Sequence, residues 1–137
     1  MSSRRKARIL AFQALYAWNA SQISIDELLT FSWLDRDKLE KLDLETKLFA
    51  SLLIKGTIEN VESVDEKIKQ HLQHWTIDRI QKVDLAVLRI SAFTLMFQTE
   101  IPYQIVIDEA IEIAKEFGTD ESYRFVNGVL DSLRKSL

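Results

Sequence analysis

The strongest chemical signal in the sequence is a cluster of cationic side chains at the amino terminus. Arg4, Arg5, Lys6 and Arg8 lie within five positions, and on a helix Arg4 and Arg8 share one face with Arg5 beside them. Cations are unfavourable at the positive amino end of a helix, so fold stability does not account for them. Phosphate groups suit both the side chains and the helix end. The cluster therefore indicates either a polyanion-binding site or a solvated tail that aids solubility.

A second group, Glu121, Arg124 and Phe125, is spaced to lie on one flank of the last predicted helix. An aromatic ring beside an arginine at the rim of a core can serve as a platform on which unpaired RNA bases stack. The alternative is a core phenylalanine beside an exposed, salt-bridged arginine. The residues alone favour that alternative.

The sequence gives little support to catalysis. His71 and His74 could meet on one helix face, but with no cysteine in the chain they form an incomplete metal site, so we predict surface positions for both. Asp108, Glu109 and Glu112 are predicted to form a solvated helix face rather than a general acid–base pair. Glycine-rich phosphate loops, serine-nucleophile elbows and zinc-protease motifs are absent from the sequence. We expect a non-enzymatic protein without a metal or a cofactor.

The charge of the chain is unevenly distributed. The formal net charge is −3, yet the first 25 residues carry +4, which leaves −7 on the rest. This distribution favours a local basic site on an acidic body. The basic start followed by an apolar run superficially resembles a signal peptide, but Gln13 and Asn19 interrupt the run. No stretch approaches the roughly 18 apolar residues of a membrane span. We expect a cytoplasmic protein.

Composition and periodicity predict an all-α fold. Glycine and proline are scarce, and no segment alternates with the two-residue period of a strand. The first helix is predicted over about residues 3–20, and because it is apolar on nearly every side beyond Arg8, it should lie in the middle of a bundle. Ser24 and Glu27 have the spacing of a capping box, which predicts a short second helix through Trp33.

Further helices are predicted along the rest of the chain. Asp43 is a candidate cap for a segment whose helical period continues to residue 72, with Gly56 marking a kink or a close packing contact. Another helix is predicted over about residues 83–98. Gly118 is placed to end the next helix, and Thr119 is placed to cap the last one.

The chain resembles the NusB family of bacterial transcription antitermination factors. The resemblance rests on the arginine-rich first helix, the central helix and, most specifically, the last third of the chain; the matching segments are residues 4–8, 11–16, 84–89, 102–103, 107–115, 117–118 and 125–131. Membership implies two small helical bundles packed together, at about residues 1–75 and 76–137. It also implies a factor that pairs with NusE, a small-subunit ribosomal protein, binds the boxA element of nascent ribosomal leader RNA as a single strand and joins an antitermination complex on RNA polymerase.

The resemblance also implies roles for individual residues. By position, it assigns RNA binding to Arg4, Arg5, Lys6, Arg8, Glu121, Arg124 and Phe125, and it assigns the NusE-facing surface to Tyr16 and Asp84. Three positions depart from the family pattern: Asp108 stands where asparagine is frequent, Glu121 where aspartate is frequent and Arg124 where the family has lysine. These departures bear only on fine specificity.

Two other functions remain open at this stage. The chain could be the detached RNA-binding domain of an rRNA cytosine methyltransferase-type protein, although it carries no cofactor-binding domain or catalytic cysteine. It could also be a helical protein–protein adaptor with an incidental basic tail. A homodimer that hides the basic face is conceivable, but the sequence predicts no exposed apolar patch that would require one.

Overall fold

The computed structural model describes residues 2–74 and 76–137, and this part of the chain is all-helical with no strand. Eight α-helices and one 3₁₀ turn, Ile77–Arg79, follow one another in it. The α-helices are α1 Ser3–Ser21, α2 Ile25–Leu28, α3 Arg36–Glu40, α4 Leu44–Glu59, α5 Val61–Lys69, α6 Lys82–Phe97, α7 Tyr103–Phe117 and α8 Ser122–Lys135. The all-α prediction is therefore confirmed. None of the described helices is both long and apolar enough to span a membrane.

Helix α1 lies inside the fold, as its apolar surface predicts. The hydroxyl of Ser2 caps it by accepting the N–H of Arg5 at 3.2 Å, and Gln22 ends it in the left-handed region at φ 55°. Three of its alanines on one face, Ala7, Ala11 and Ala14, are fully buried, which lets α4 and α6 approach closely. The short side chains of one face thus fix the helix that carries the basic cluster.

The second predicted helix is shorter than expected. Ser24 does cap α2, since its hydroxyl accepts the N–H of Glu27 at 3.2 Å, but the helix ends at Leu28 rather than at Trp33. The chain then turns, with Phe31 in the left-handed region at φ 58° and completely buried. Burial of this ring in the core overrides the helical pattern of the segment.

Helices α4 and α5 form where one long helical period is predicted. Asp43 caps α4, its carboxylate accepting the N–H of Thr46 at 2.7 Å, as predicted. The break comes at Asn60, whose side-chain amide donates to the carbonyl of Gly56 at 2.8 Å, the same carbonyl that accepts its backbone N–H at 3.1 Å. Gly56 itself marks a close packing contact, because a Cβ there would lie 2.3 Å from the ring of Phe93 on α6.

Helices α6, α7 and α8 complete the core. Every residue of α6 from 84 to 95 is buried. Helices α7 and α8 run antiparallel: Arg134 lies over the ring of Tyr103 at one end, and Lys115 lies over the ring of Tyr123 at the other. Their buried residues join those of α1 and α4 in one hydrophobic cluster. The division into bundles at about residues 1–75 and 76–137 stays a prediction.

The start of α8 differs from the predicted one. The helix begins at Ser122, and Thr119 does not cap it; instead the buried hydroxyl of Ser122 accepts the N–H of Thr119 at 2.9 Å. The capping bond thus runs in the reverse direction and closes the α7–α8 turn. Gly118 does end α7, donating its N–H to Ala114 at 2.9 Å.

One face of α4 is apolar and exposed, contrary to expectation. Leu44, Leu48 and Leu52 follow one another at four-residue spacing and expose 69%, 60% and 55% of their surface. The sequence places apolar residues on several sides of α4, and only the packing against α1 and α6 decides which of them are covered. The prediction that the chain presents no exposed apolar patch was therefore wrong.

Candidate nucleic-acid interface

The basic cluster occupies the first two turns of α1 and is held in place by α7. The Nε of Arg5 donates to Oε2 of Glu109 at 2.9 Å, and a terminal nitrogen of Arg8 lies 3.8 Å from Oε1 of the same carboxylate. Coulombic attraction also comes to Arg5 from Glu112. The Arg5 side chain remains 44% exposed, so it can still meet a ligand from solvent.

The arginines of the cluster are not equivalent. The Arg8 side chain is only 12% exposed, and its burial is the main cause that lowers its pKa, with Glu109 opposing the shift. Its guanidinium lies 5.5 Å from the ring centre of Phe49 on α4, while that of Arg4 lies 4.1 Å from the same ring. The expectation that fold stability does not account for the cluster therefore fails for Arg8, which packs between α4 and α7.

The second predicted group lies at the start of α8. Arg124 is exposed, with a terminal nitrogen 3.9 Å from Glu121 and its Nε donating to the hydroxyl of Tyr123 at 3.1 Å. The hydrogen bond and attraction of Tyr123, followed by the charge of Glu121, raise the pKa of Arg124. Phe125 is half-buried and packs against the core. The structure thus shows a ring at the rim of the core beside an exposed, ion-paired arginine. The base-stacking platform and the alternative of a core phenylalanine beside a salt-bridged arginine both predict this arrangement.

Two open hollows flank Arg124 and Phe125, and both residues line each of them. One hollow, of about 310 Å³, is also lined by Arg79, Asp84 and Ser122. The other, of about 280 Å³, runs between α8 and the segment that contains residues 71–74. The ring of Phe125 therefore stands between two surfaces that a flat ligand can reach.

Helix α7 contacts both the basic cluster of α1 and the group around Arg124, and so shows how far apart their contact points lie along its axis. Arg5 is bound at Glu109 in the middle of α7, whereas Tyr123, next to Arg124, lies against Lys115 six residues later. Six residues of helix rise by about 9 Å, so the two contact points on α7 lie about 9 Å apart along its axis. An extended polymer can reach both groups.

The two residues assigned to a protein partner lie in different surroundings. Tyr16 is 39% exposed on α1. Asp84 is 6% exposed in the first turn of α6, and burial is the main cause that raises its pKa, against the lowering influence of a hydrogen bond with Ser122. The structure therefore brings Asp84 to the hollow beside Arg124 and Phe125, while Tyr16 presents its ring to solvent.

Three residues of this surface were not singled out as binding residues from the sequence. Glu109 was predicted to lie on a solvated face, yet its side chain is 17% exposed and pairs with Arg5. Phe49 and Tyr123 were given no role from the sequence, and each contacts an arginine of the surface. Only the position of Tyr123 beside Arg124 carried a signal in the sequence.

The predicted histidine and carboxylate positions show no metal site. In the described part of the chain, no group of three or more histidine, cysteine or carboxylate side chains could hold a metal ion. His71 and His74 instead line the hollow beside Phe125, where the Nδ1 of His71 lies 2.8 Å from the hydroxyl of Ser132. Burial, followed by repulsion from Lys67, lowers the pKa of His71, so its ring is neutral at pH 7.

The same fold occurs in solved structures of antitermination factors. T. maritima NusB superimposes with a TM-score of 0.87 at 37% identity, covering 98% of this chain and 92% of its own. A crystal structure of the antitermination factors NusB and NusE in complex with dsRNA contains a chain that superimposes with a TM-score of 0.89 at 27% identity, covering 100% of this chain and 99% of its own. The fold is therefore that of a transcription antitermination factor.

Sequence comparison identifies the family. The NusB family model matches residues 5–135. The transcription antitermination protein NusB of Treponema denticola is 50% identical over 131 residues, which are 96% of this chain and 95% of that protein. The Bacillus licheniformis protein of the same name is 41% identical over 134 residues, which are 98% of each. This chain belongs to the NusB family, as the resemblance in its sequence predicts.

Proposed function

We propose that this chain is an RNA-binding antitermination factor that acts in the cytoplasm without catalysis. Together with NusE it binds boxA-type single-stranded RNA in nascent ribosomal RNA leaders and joins the antitermination complex on RNA polymerase. Membership of the NusB family supports this proposal, as does the related NusB chain that was crystallised with NusE and dsRNA.

The observation that carries the proposal is the basic cluster on α1. Arg4 and Lys6 are exposed, Arg5 is partly exposed and anchored to α7 through its Nε, and all three lie at the amino end of a capped helix. The helix dipole and the side chains attract the same kind of ligand, a phosphate. Arg8 supports the cluster from beneath, so phosphate contacts fall mainly to the other three.

The group on α8 supplies the complementary contacts. Phosphate contacts hold a strand but carry no sequence information, whereas an unpaired base can stack on the ring of Phe125 with Arg124 and Glu121 at its edge. A duplex keeps its bases stacked on one another and away from such a ring. For this reason we propose that this chain prefers a single strand of RNA to a duplex. We also assign Tyr16 and Asp84 to the NusE-facing surface.

Charge removal tests the phosphate contacts. The variant Arg4→Gln/Lys6→Gln should weaken binding of a boxA-type RNA and reduce the slope of log affinity against log salt by about 1.4, since each lost contact to a single strand removes about 0.7. Fluorescence anisotropy at several salt concentrations measures both quantities. The matched control is Arg36→Gln/Lys38→Gln, which removes the same charge from exposed positions on α3. Equal slopes for the two variants would refute the proposed site.

Three RNAs, each with and without NusE, test the remaining claims. The boxA-type single strand should bind more tightly than a scrambled strand and a duplex, and NusE should increase that preference.

Phe125→Ala should reduce the preference for the boxA-type strand while circular dichroism stays unchanged. Tyr16→Ala should weaken binding to NusE but leave RNA binding by the free chain intact. A chain that binds NusE but no RNA would identify the adaptor function instead.

A further inference from the structure

Gly128 lies in the middle of α8 for no reason that the fold provides. Among the residues that the structure describes, a Cβ built at this position meets no atom within 4 Å; the backbone has no positive φ, and the residue is exposed. Gly56, by contrast, lies directly against the ring of Phe93. Glycine in the interior of a helix is less stable than alanine, so a glycine that packing and backbone geometry do not require points to something that approaches the helix from outside.

The surroundings of Gly128 form a built hollow. Arg124, Phe125 and Ser132 lie on the same face of α8, four residues before, three residues before and four residues after the glycine. Across the hollow stand Gln73 and His74, both exposed. The bond between His71 and Ser132 ties that opposite wall to α8. The hollow is therefore a fixed feature between two elements.

We infer that this hollow holds one unpaired base of the bound RNA, with its flat face against the bare backbone at Gly128 and the ring of Phe125. The chemistry of the walls selects this occupant. A planar group can pack on an aromatic ring and on an uncovered stretch of helix. The guanidinium of Arg124 at the rim can donate hydrogen bonds to the phosphate of the same nucleotide, and the amide of Gln73 and the imidazole of His74 can form hydrogen bonds with the edge of the base.

The inference rests on the proposed RNA-binding function and deepens it by locating a base site. It uses the hollow on the far side of Phe125 from Asp84, which leaves the other hollow to the partner-facing residue. It also gives the two basic groups distinct tasks along one strand. The α1 cluster binds phosphates, and the α8 hollow captures a base further along.

A pair of glycine substitutions tests the site without a risk of unfolding. Gly128→Ala should raise the melting temperature, because alanine favours the helix and has open space, and yet it should weaken boxA-type RNA binding. Gly128→Leu should weaken binding further, by roughly tenfold, which is the scale of one lost base stack. The matched control is Asn127→Ala, at an exposed neighbour in the same helix, which should raise the melting temperature and leave RNA affinity unchanged.

Abasic substitutions along the RNA identify the captured base. For the wild-type chain, one abasic position should cost about as much affinity as Gly128→Leu does, and in the Gly128→Leu variant that same position should cost nothing more. If Gly128→Leu binds RNA like the wild type while Arg4→Gln/Lys6→Gln binds weakly, the base site is overturned and the RNA-binding function stands. If Gly128→Leu loses NusE instead of RNA, the hollow is a protein contact and the inference is also overturned. If the wild-type chain binds no RNA at all, the proposed function itself fails.

Discussion

Replacing Glu109 by glutamine should make the protein less stable and its RNA binding tighter. The carboxylate serves two arginines at once: it accepts from Arg5 at 2.9 Å and lies 3.8 Å from Arg8. The substitution keeps the shape of the side chain and an acceptor for Arg5 but removes the charge. Arg8 then loses its anionic partner in a half-buried position, while Arg5 is no longer neutralised by its neighbour.

The magnitudes follow from exposure and from counterion release. The side chains of Arg8 and Glu109 are 12% and 17% exposed, between an exposed pair worth up to about 1 kcal/mol and a buried pair whose disruption costs about 3–5 kcal/mol; we expect the free energy of unfolding to fall by about 2 kcal/mol. Once Glu109 no longer neutralises it, the charge of Arg5 is fully available to phosphate. This should steepen the salt slope by up to about 0.7, so that the gain in affinity over the wild type is roughly fivefold larger at 0.1 M salt than at 1 M salt.

Urea denaturation measures the free energy of unfolding, and anisotropy titrations across salt concentrations measure the salt slope of RNA binding. The control is Glu62→Gln, which removes the same charge from an exposed position on α5, and screening should keep its effect on RNA binding small. The reasoning is refuted if Glu109→Gln weakens RNA binding while the fold is intact. In that case the carboxylate orients Arg5 for the phosphate, and its neutralising effect is the smaller one.

Three further predictions concern the scaffold. Gly56→Ala should lower the free energy of unfolding by about 2 kcal/mol in urea denaturation, because the new methyl group would lie 2.3 Å from Phe93; no loss would mean that the ring moves aside freely. Asp65→Asn should lower the free energy of unfolding by about 3 kcal/mol in the same measurement, because Arg89 is 9% exposed and bonded to both carboxylate oxygens at 2.9 Å. The double variant Asp65→Leu/Arg89→Met should recover most of the loss, since it leaves no unpaired buried charge. A double variant as unstable as Asp65→Asn would contradict this account. The pKa of His71 is lower in the folded chain than the ordinary 6.5, so the unfolded chain binds more protons as the pH falls through 6.5, and the free energy of unfolding should fall as well. His71→Gln should remove this contribution to the pH dependence of stability between about pH 7.5 and about pH 5.5. An unchanged stability curve would exclude His71 as its source.

Local sequence signals located the elements of this fold well where a side chain and its partner are close in sequence. The helix predicted over residues 3–20 is observed as Ser3–Ser21, and the caps at Ser24 and Asp43 form as predicted. Each of these depends on an interaction within three or four residues. The sequence therefore contains both partners in one short window.

The predictions that failed depend on tertiary contacts. The helix after Ser24 stops early because Phe31 turns into the core, and the reversed bond at Thr119 depends on the burial of Ser122. At the candidate site, the composition of the basic cluster was visible in the sequence, but the pairing of Arg5 with Glu109 joins residues 104 positions apart. A hydrophobic pattern predicts that a side will be buried, not which distant charge will lie beside it.

The buried alanines of α1 have a consequence for local opening of the protein. Because α1 packs between α4 and α6 through Ala7, Ala11 and Ala14, its amide hydrogens can exchange with solvent only when the core itself opens. The residues proposed to bind RNA, Arg4, Arg5 and Lys6, thus lie in the capped first turn of a helix whose following turns should be among the slowest-exchanging segments of the chain. Once its capped first turn is passed, exchange along α1 should follow global unfolding, and bound RNA should slow exchange throughout the core as well as at the contact surface.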